Sequence, residues 1–417
     1  MDQQKKTLAI VVGGGPAPGI NGVISSATIR ARLDGANVIG IQQGFQWIMQ
    51  GDTSHVVPLT SESVSRIHWE GGSIIGTARA NPTKSPELLE AVVSSLLKLN
   101  VSQLVTIGGD DTAFSAMSIE KQAAGRIRVV HVPKTIDNDL DLPAHVDTFG
   151  YQTARHRGVD ITQAMMVDAK TTGRWYFIVA MGRTAGHLAL GIGKAAGATV
   201  SIIPEEFPRP IRLATVVDTL AGSIIKRLSM GREDGVAIIA EGLALDLEPA
   251  DLAELSDVER DAHGHIRLAE LDLGGILKKK VDARLKALGI KLTIATKNIG
   301  YELRCCAPIP FDIEYTRELG YWAAHHLASG GNAAMVSVQN GRFVPIPFAQ
   351  MLDPKTGRTR VRRVDPASDR FNIAREYMIR LRKSDFANAE TVAKLAAAVK
   401  LSPDEFKKQF ADVVGHE

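Results

Sequence analysis

Short apolar runs, each closed by a loop rich in glycine or acid and followed by a helix-forming stretch, recur along this chain. Leu8 to Val12 runs into Gly13-Gly14-Gly15-Pro16-Ala17-Pro18-Gly19, and a helix is predicted over about Ile20 to Leu33. Val38 to Ile41 reads as the next strand. A helix over Pro86 to Leu99 leads to a strand at Leu104 to Ile107, the loop Gly108-Gly109-Asp110-Asp111-Thr112 and a helix to about Ala124. Ile127 to Val132 is a further strand. Strands that alternate with helices pair in parallel, through right-handed crossovers.

The pattern resumes after about residue 150. A long helical stretch ends near Lys170, and the strand Trp175 to Ala180 runs into Met181-Gly182-Arg183. Val200 to Ile203 and Val236 to Ala240 are strands, with a helix over about Ile211 to Arg227 between them. The expected fold is therefore α/β: two doubly wound Rossmann-like domains with mostly parallel sheets and added C-terminal helices. A chain of 417 residues is long enough for that. The first domain is placed at residues 1–147, completed by about 303–365. The second is placed at 148–302, completed by helices over 366–417, a polar segment expected to pack on the outside. Residues 245–273 are acidic and weakly periodic, and read as a surface excursion.

Bulk charge excludes some partners. Lys and Arg total 49 against 46 acidic residues, so there is no basic field for nucleic acid. No apolar run approaches the roughly 18 residues that span a bilayer. Met1 to Thr7 is polar and charged, which predicts no secretory signal and a cytoplasmic location. Cys305 and Cys306 are the only cysteines; sequence neighbours rarely pair, so both are expected reduced, as small buried residues. His325-His326 and His263-Gly264-His265 lack metal-ligand spacing with a third partner and are read as surface or satisfied polar groups.

The loops at the strand ends carry the chemistry. Glycines between the first strand and its helix let backbone amides approach an anion at the helix N-terminus; a plain tight turn needs them too. The P-loop motif fails, because Ile20 and Asn21 follow Gly19. The dinucleotide fingerprint fails as well: Pro18 stands at its last glycine, and Ile39-Gly40-Ile41 offers no ribose-binding acid. Asp110 and Asp111 open a helix, where they either cap it or serve a Mg²⁺–phosphate complex. Arg79 follows the flexible stretch Gly71-Gly72-Ser73-Ile74-Ile75-Gly76-Thr77-Ala78 and suits a phosphate contact. The strand Val130-His131-Val132 delivers Pro133-Lys134-Thr135-Ile136-Asp137-Asn138-Asp139 to its carboxyl end, where α/β proteins bind ligands. One lysine among these acids suggests an anion held beside carboxylates.

Taken together and in order, Gly13–Asn21, Gly71–Arg79, Gly108–Thr112, Pro133–Asp139, Met181–Arg183 and Glu241-Gly242 resemble phosphofructokinases, over roughly residues 7–245 and 293–365. NAD kinases and lipid kinases resemble the Gly-Gly-Asp loop alone, and lack the Thr135–Asp139 run and the Met181–Arg183 segment. Within the family, ATP-using members have glycine at the positions of Asp111 and Lys134, so both residues match the pyrophosphate-dependent type. The physical reason is readable: an aspartate fills the space of an α-phosphate and repels it. Two like charges a few ångströms apart cost about 1–4 kcal/mol in effective dielectrics of about 80 to 20.

The resemblance implies reversible, Mg²⁺-dependent phosphoryl transfer from pyrophosphate to the C1 hydroxyl of fructose 6-phosphate. The alternatives are ATP as donor, sedoheptulose 7-phosphate as acceptor, or a non-catalytic regulatory subunit, although the last should lack a base or metal ligand. The resemblance makes Asp137 the general base, with Asp110 and Asp139 holding Mg²⁺. Arg79, Lys134 and Arg183 neutralise phosphate oxygens, and Thr135 hydrogen-bonds the moving group. Gly14 and Gly15 line the donor site with Asp111. Met181, Gly182 and Glu241 hold the sugar. Arg174 and Arg304 bind its 6-phosphate from a neighbouring subunit, which implies a homo-oligomer. Tyr301 stands where many ATP-using members have histidine.

Overall fold

A computed structural model gives the structure, and it describes residues 6–143, 145–253, 271–355, 357 and 359–415. Most of the acidic excursion, including His263 and His265, lies outside the described residues.

In chain order the elements are β1 (Thr7–Val12), α1 (Ile20–Leu33), β2 (Asn37–Ile41), β3 (Val56–Pro58), α2 (Ser61–Val64), α3 (Pro86–Lys98), β4 (Val101–Gly108), α4 (Asp110–Ala123), β5 (Arg128–Thr135) and β6 (Phe149–Gly150). There follow α5 (Tyr151–Thr172), β7 (Arg174–Ala180), α6 (His187–Ala196), β8 (Val200–Ile202), α7 (Leu213–Ser229), β9 (Gly235–Ala240), α8 (Pro249–Ala253), α9 (Leu273–Ala287) and β10 (Thr293–Ile299). The chain closes with α10 (Tyr301–Arg304), α11 (Pro310–Ala328), β11 (Ala334–Met335), β12 (Val338–Gln339), β13 (Arg342–Phe343), β14 (Ile346–Pro347), α12 (Phe348–Met351), α13 (Asp369–Glu376), α14 (Lys383–Ala387), α15 (Ala389–Ala398) and α16 (Pro403–Gly415).

The described residues fall into two compact units, the first holding 6–154 and 301–362, the second 155–253, 271–300 and 363–415. The first unit is built on a sheet of order β14-β11-β5-β4-β1-β2-β3, with β6 on β5. Its central pairs are parallel, and only the margins β3 and β14 run antiparallel. β1 explains why. Leu8, Ile10 and Val12 face a cluster with Ile20, Val23 and Leu319, while Ala9 and Val11 face Val92, Ala113 and Ile119. A strand covered on both faces reads as a continuous apolar run. From β1 the chain steps to β2 on one side and later to β4 on the other, so the loops after β1 and β4 meet at a topological switch point.

The second unit has a four-stranded parallel sheet of order β10-β7-β9-β8. Its C-terminal helices are amphipathic rather than simply polar: Phe406 and Phe410 of α16, with Leu381 before α14, are buried, and Gly222 of α7 lets Leu381 pack close. The buried pair Arg380–Glu206 ties this segment to the sheet unit.

Candidate active site

In the first unit, the apolar strand β5 ends in a buried polar cluster: Lys134, Thr135, Asp137, Asn138 and Asp139 are each at most 8% exposed. Thr135 turns the chain, its Oγ1 accepting from the Asp137 amide at 3.0 Å. Asn138 sits at φ 57°, a left-handed conformation that asparagine tolerates. Its side chain bridges the loop, donating to Asp147 Oδ1 (2.8 Å) and accepting from the Thr148 amide (3.0 Å). Asp137 and Asp139 are thus held on a loop fixed at both ends.

Lys134 crosses to the first loop, where its ammonium donates to the Gly15 carbonyl. The Gly71–Arg79 segment folds onto the same loop. Thr77 Oγ1 donates to the Gly14 carbonyl at 2.7 Å, and the Gly14 amide donates to the Ala78 carbonyl at 3.0 Å. Asn21 pins the start of that segment, donating to the Glu70 carbonyl at 3.2 Å and accepting from the Ile74 amide at 3.0 Å. Asp110 and Asp111 fill the first turn of α4 behind the N-cap Gly109, which has no side chain to cap it. Negative charge there gains about 0.3–1 kcal/mol from the helix N-terminus. Thr112 presses so closely on Gly108 that a Cβ on that glycine would lie 2.2 Å from it, which excludes any side chain there.

Arg304 belongs to the same cluster. A Cβ on Gly15 would lie 2.8 Å from its guanidinium, which rests 4.6 Å above the Tyr301 ring. Burial, and then the neighbouring Arg79 charge, lower its pKa, while Asp137 opposes that shift. Arg304 therefore lies beside Gly15 of its own chain, within electrostatic reach of Arg79 and Asp137.

In the second unit, the carboxyl ends of β7, β9 and β10 carry Met181–Arg183, Glu241-Gly242 and Gly300. The buried Glu241 accepts from the Gly182 amide at 3.1 Å and the Arg183 amide at 3.0 Å through one oxygen. Arg183 is left-handed at φ 50°, and its carbonyl stands 2.1 Å from where a Gly242 Cβ would be. The Met181 amide bonds to the Ile299 carbonyl at 3.0 Å. These sequence-selected residues therefore converge. Arg174 does not: it opens β7, facing Asp168 at 3.9 Å, at the strand end opposite Met181. The cysteines are not the buried pair expected: Cys305 is exposed, and half-buried Cys306 donates through Sγ to the Leu303 carbonyl at 3.0 Å, just after the short helix α10.

Mg²⁺ binding by protein side chains alone is not what this donor set offers, since among the described residues no three His, Cys, Asp or Glu groups gather. Mg²⁺ ordinarily takes one or two carboxylates and fills its shell with phosphate oxygens and water, a requirement Asp110 and Asp139 fit by type.

Two residues of this cluster escape a reading of the sequence. His131 is fully buried, its Nδ1 2.9 Å from Thr106 Oγ1 and its Nε2 3.0 Å from the Gly108 carbonyl. Burial pushes its pKa down to about 3, so the ring is neutral, donates through Nε2 to the carbonyl and steadies the Gly108 turn from below. A polar residue between Val130 and Val132 in an apolar strand was the available signal. Arg362 reaches Asn138 of the Asp137–Asp139 loop from 224 residues downstream, and a lone arginine carries no signal.

Two mostly parallel α/β sheets, with acid and glycine loops at their carboxyl ends, define a class of phosphate-handling α/β proteins. A model of the family described as phosphofructokinase matches residues 7–327, and the chain belongs to that family. It is 53% identical, over 97% of each chain, to the Thermotoga maritima pyrophosphate–fructose 6-phosphate 1-phosphotransferase. It is 50% identical to the Naegleria fowleri protein of the same name, over 98% of this chain and 96% of that one. Among solved structures, Saccharomyces cerevisiae phosphofructokinase superposes on 98% of the chain with a TM-score of 0.68 at 19% identity, and the chain spans 50% of that longer one. That likeness speaks for the fold alone.

Proposed function

We propose that the chain transfers a phosphoryl group reversibly between pyrophosphate and the C1 hydroxyl of fructose 6-phosphate, forming fructose 1,6-bisphosphate. The observation that carries this reading is the placement of Lys134 and Asp111. Lys134 reaches the carbonyl of Gly15 in the first glycine loop, and Asp111 lies in the first turn of α4. A cation at the glycine loop suits a donor that is all phosphate, and a carboxylate at the helix start repels the α-phosphate of a nucleotide.

Asp137 takes the proton from the C1 hydroxyl as the C1 oxygen bonds to the terminal phosphorus. The P–O–P bond breaks, and the bonding electrons leave with phosphate. Phosphoryl transfer demands mostly charge stabilisation and alignment. Lys134, Arg79 and Arg183 neutralise phosphate oxygens, Thr135 hydrogen-bonds the moving group, and Gly14 and Gly15 line the donor. Asp110 and Asp139 would hold Mg²⁺, which would screen the donor's charge when bound. Met181, Gly182 and Glu241 hold the sugar, in a sugar-binding domain made by the second unit, while the first unit binds the donor. Arg304 and Tyr301 serve the sugar phosphate of their own chain, whereas Arg174, at the wrong end of β7, serves that of a neighbouring copy. The active form is then a homo-oligomer, at least a dimer, in the cytoplasm.

Turnover of fructose 6-phosphate with Mg²⁺ and either pyrophosphate or ATP tests the donor. Turnover with pyrophosphate and little with ATP is expected, and the reverse would sink the reading. Asp111→Gly with Lys134→Gly should lose most pyrophosphate activity; full retention would remove the donor argument. Sedoheptulose 7-phosphate, assayed beside fructose 6-phosphate, measures the breadth of the acceptor pocket.

A further inference from the structure

We infer that Arg362 is a positioning residue for the Asp137–Asp139 loop, and that the strand-like strap it belongs to sets where both carboxylates stand. This rests on the proposed role of Asp137 as base. The loop from Asp137 to Asp147 forms no helix or strand among its described residues, so its carbonyls find few partners in regular structure. One guanidinium supplies them. Nε donates to the Asn138 carbonyl at 3.2 Å. Nη1 faces the carbonyls of Leu142 (3.3 Å), Pro143 (3.1 Å) and Val146 (2.8 Å). Nη2 donates to Asn138 Oδ1, the same oxygen that accepts from the Thr148 amide.

The backbone continues the grip. The Arg362 amide donates to the Asp139 carbonyl at 2.7 Å, Val361 pairs antiparallel with Leu140, and Arg360 meets Asp141 at 3.4 Å. Arg362 therefore holds the residue on each side of the Asp139 peptide and the far end of the turn at once. Left-handed Asn138, locked between Asp137 and Asp139, is the point through which this grip reaches both carboxylates. Only a planar fork with five donors can serve so many acceptors; a lysine ammonium has three donors on one atom. Its hydrogen bonds run to the carbonyls and the Asn138 side chain of the loop that carries both carboxylates, so it acts through the loop.

Arg362→Lys keeps charge and most of the length, and is the variant chosen to fold. A misplacement of reacting groups by about 1 Å costs about 10²-fold in rate. With a melting temperature close to the parent's, Arg362→Lys should lose about that much in kcat while KM for fructose 6-phosphate and pyrophosphate moves less than about threefold. Amide exchange across residues 138–148, read without substrate, should speed up. Arg362→Ala, if folded, should regain part of its kcat with added guanidinium ion and little with methylammonium. A folded Arg362→Lys whose kcat stays within threefold of the parent, or whose loop exchanges at the parental rate, overturns the inference. Asp137→Ser is assayed in parallel. If it stays fully active, the reading of the base fails, while the exchange data still report on the Arg362 grip independently.

Discussion

Asp137 owes its position to neighbours that are not acidic. Its amide bonds to Thr135 Oγ1, and the left-handed Asn138 that follows is tied to Asp147 and Thr148. Asp137→Ser keeps the turn and removes the proton acceptor, so kcat should fall by about 10²–10⁴-fold while fructose 6-phosphate still binds, as calorimetry can check. Parent-level turnover would place the chemistry elsewhere. His131 makes a separate prediction. Its folded pKa of about 3 lies below the unfolded value near 6.5, so the folded state requires the neutral ring. Its contribution is fully present above pH 6.5, and below that the unfolded chain gains a proton the folded chain refuses. Stability should then drop by about 1.4 kcal/mol per pH unit as pH falls toward 3. Urea unfolding at pH 7, 6 and 5 should give a shallower acid slope for His131→Gln than for the parent; equal slopes would show that His131 does not titrate this way.

At the scale of elements, the C-terminal segment hangs on the Arg380–Glu206 pair, whose side chains are 4% and 2% exposed. Lys226 adds a bond to the Arg380 carbonyl at 2.9 Å. Removing one partner of a buried pair strands the other charge, so Arg380→Ala should cost about 3–5 kcal/mol in urea unfolding, whereas an Arg380→Met, Glu206→Leu double change should cost much less. Equal losses would mean the site tolerates a lone carboxylate. The same scale shows what a sequence can display. β1, β4, β5, β7 and β9 were readable because burial on both faces makes each a largely apolar run. β10 was not: it lies at a sheet edge, and only Ile294 and Ile299 are buried, with half-exposed Ala295 and Lys297 and exposed Thr296 and Asn298 between them. Short β11 and β14 exist only through their partners. Likewise Lys134, Asp137 and Glu241 announce themselves at strand ends, while Arg362 and Asn21 hold loops through contacts that no local pattern encodes.

For the whole molecule, the informative residue is Arg174. Six residue steps separate it from Ala180 along β7, about 20 Å at roughly 3.3 Å per residue, and Met181–Arg183 lie beyond that far end. In the proposed function it therefore serves the sugar phosphate of another copy. Arg304, beside Gly15 and within electrostatic reach of Asp137, needs no such arrangement. On that proposal, Arg174→Ala and Asp137→Ser are defects on different chains of one shared site. Each variant alone should be nearly inactive. Mixed and re-equilibrated, half the dimers are hybrids, and each hybrid has one site that takes Asp137 from one chain and Arg174 from the other. Activity should therefore recover to about one quarter of the parent's, as symmetric exchange of two copies requires. An Arg174 acting within its own chain would leave the mixture as inactive as its parts, so the recovered fraction measures whether the active unit is one chain or two.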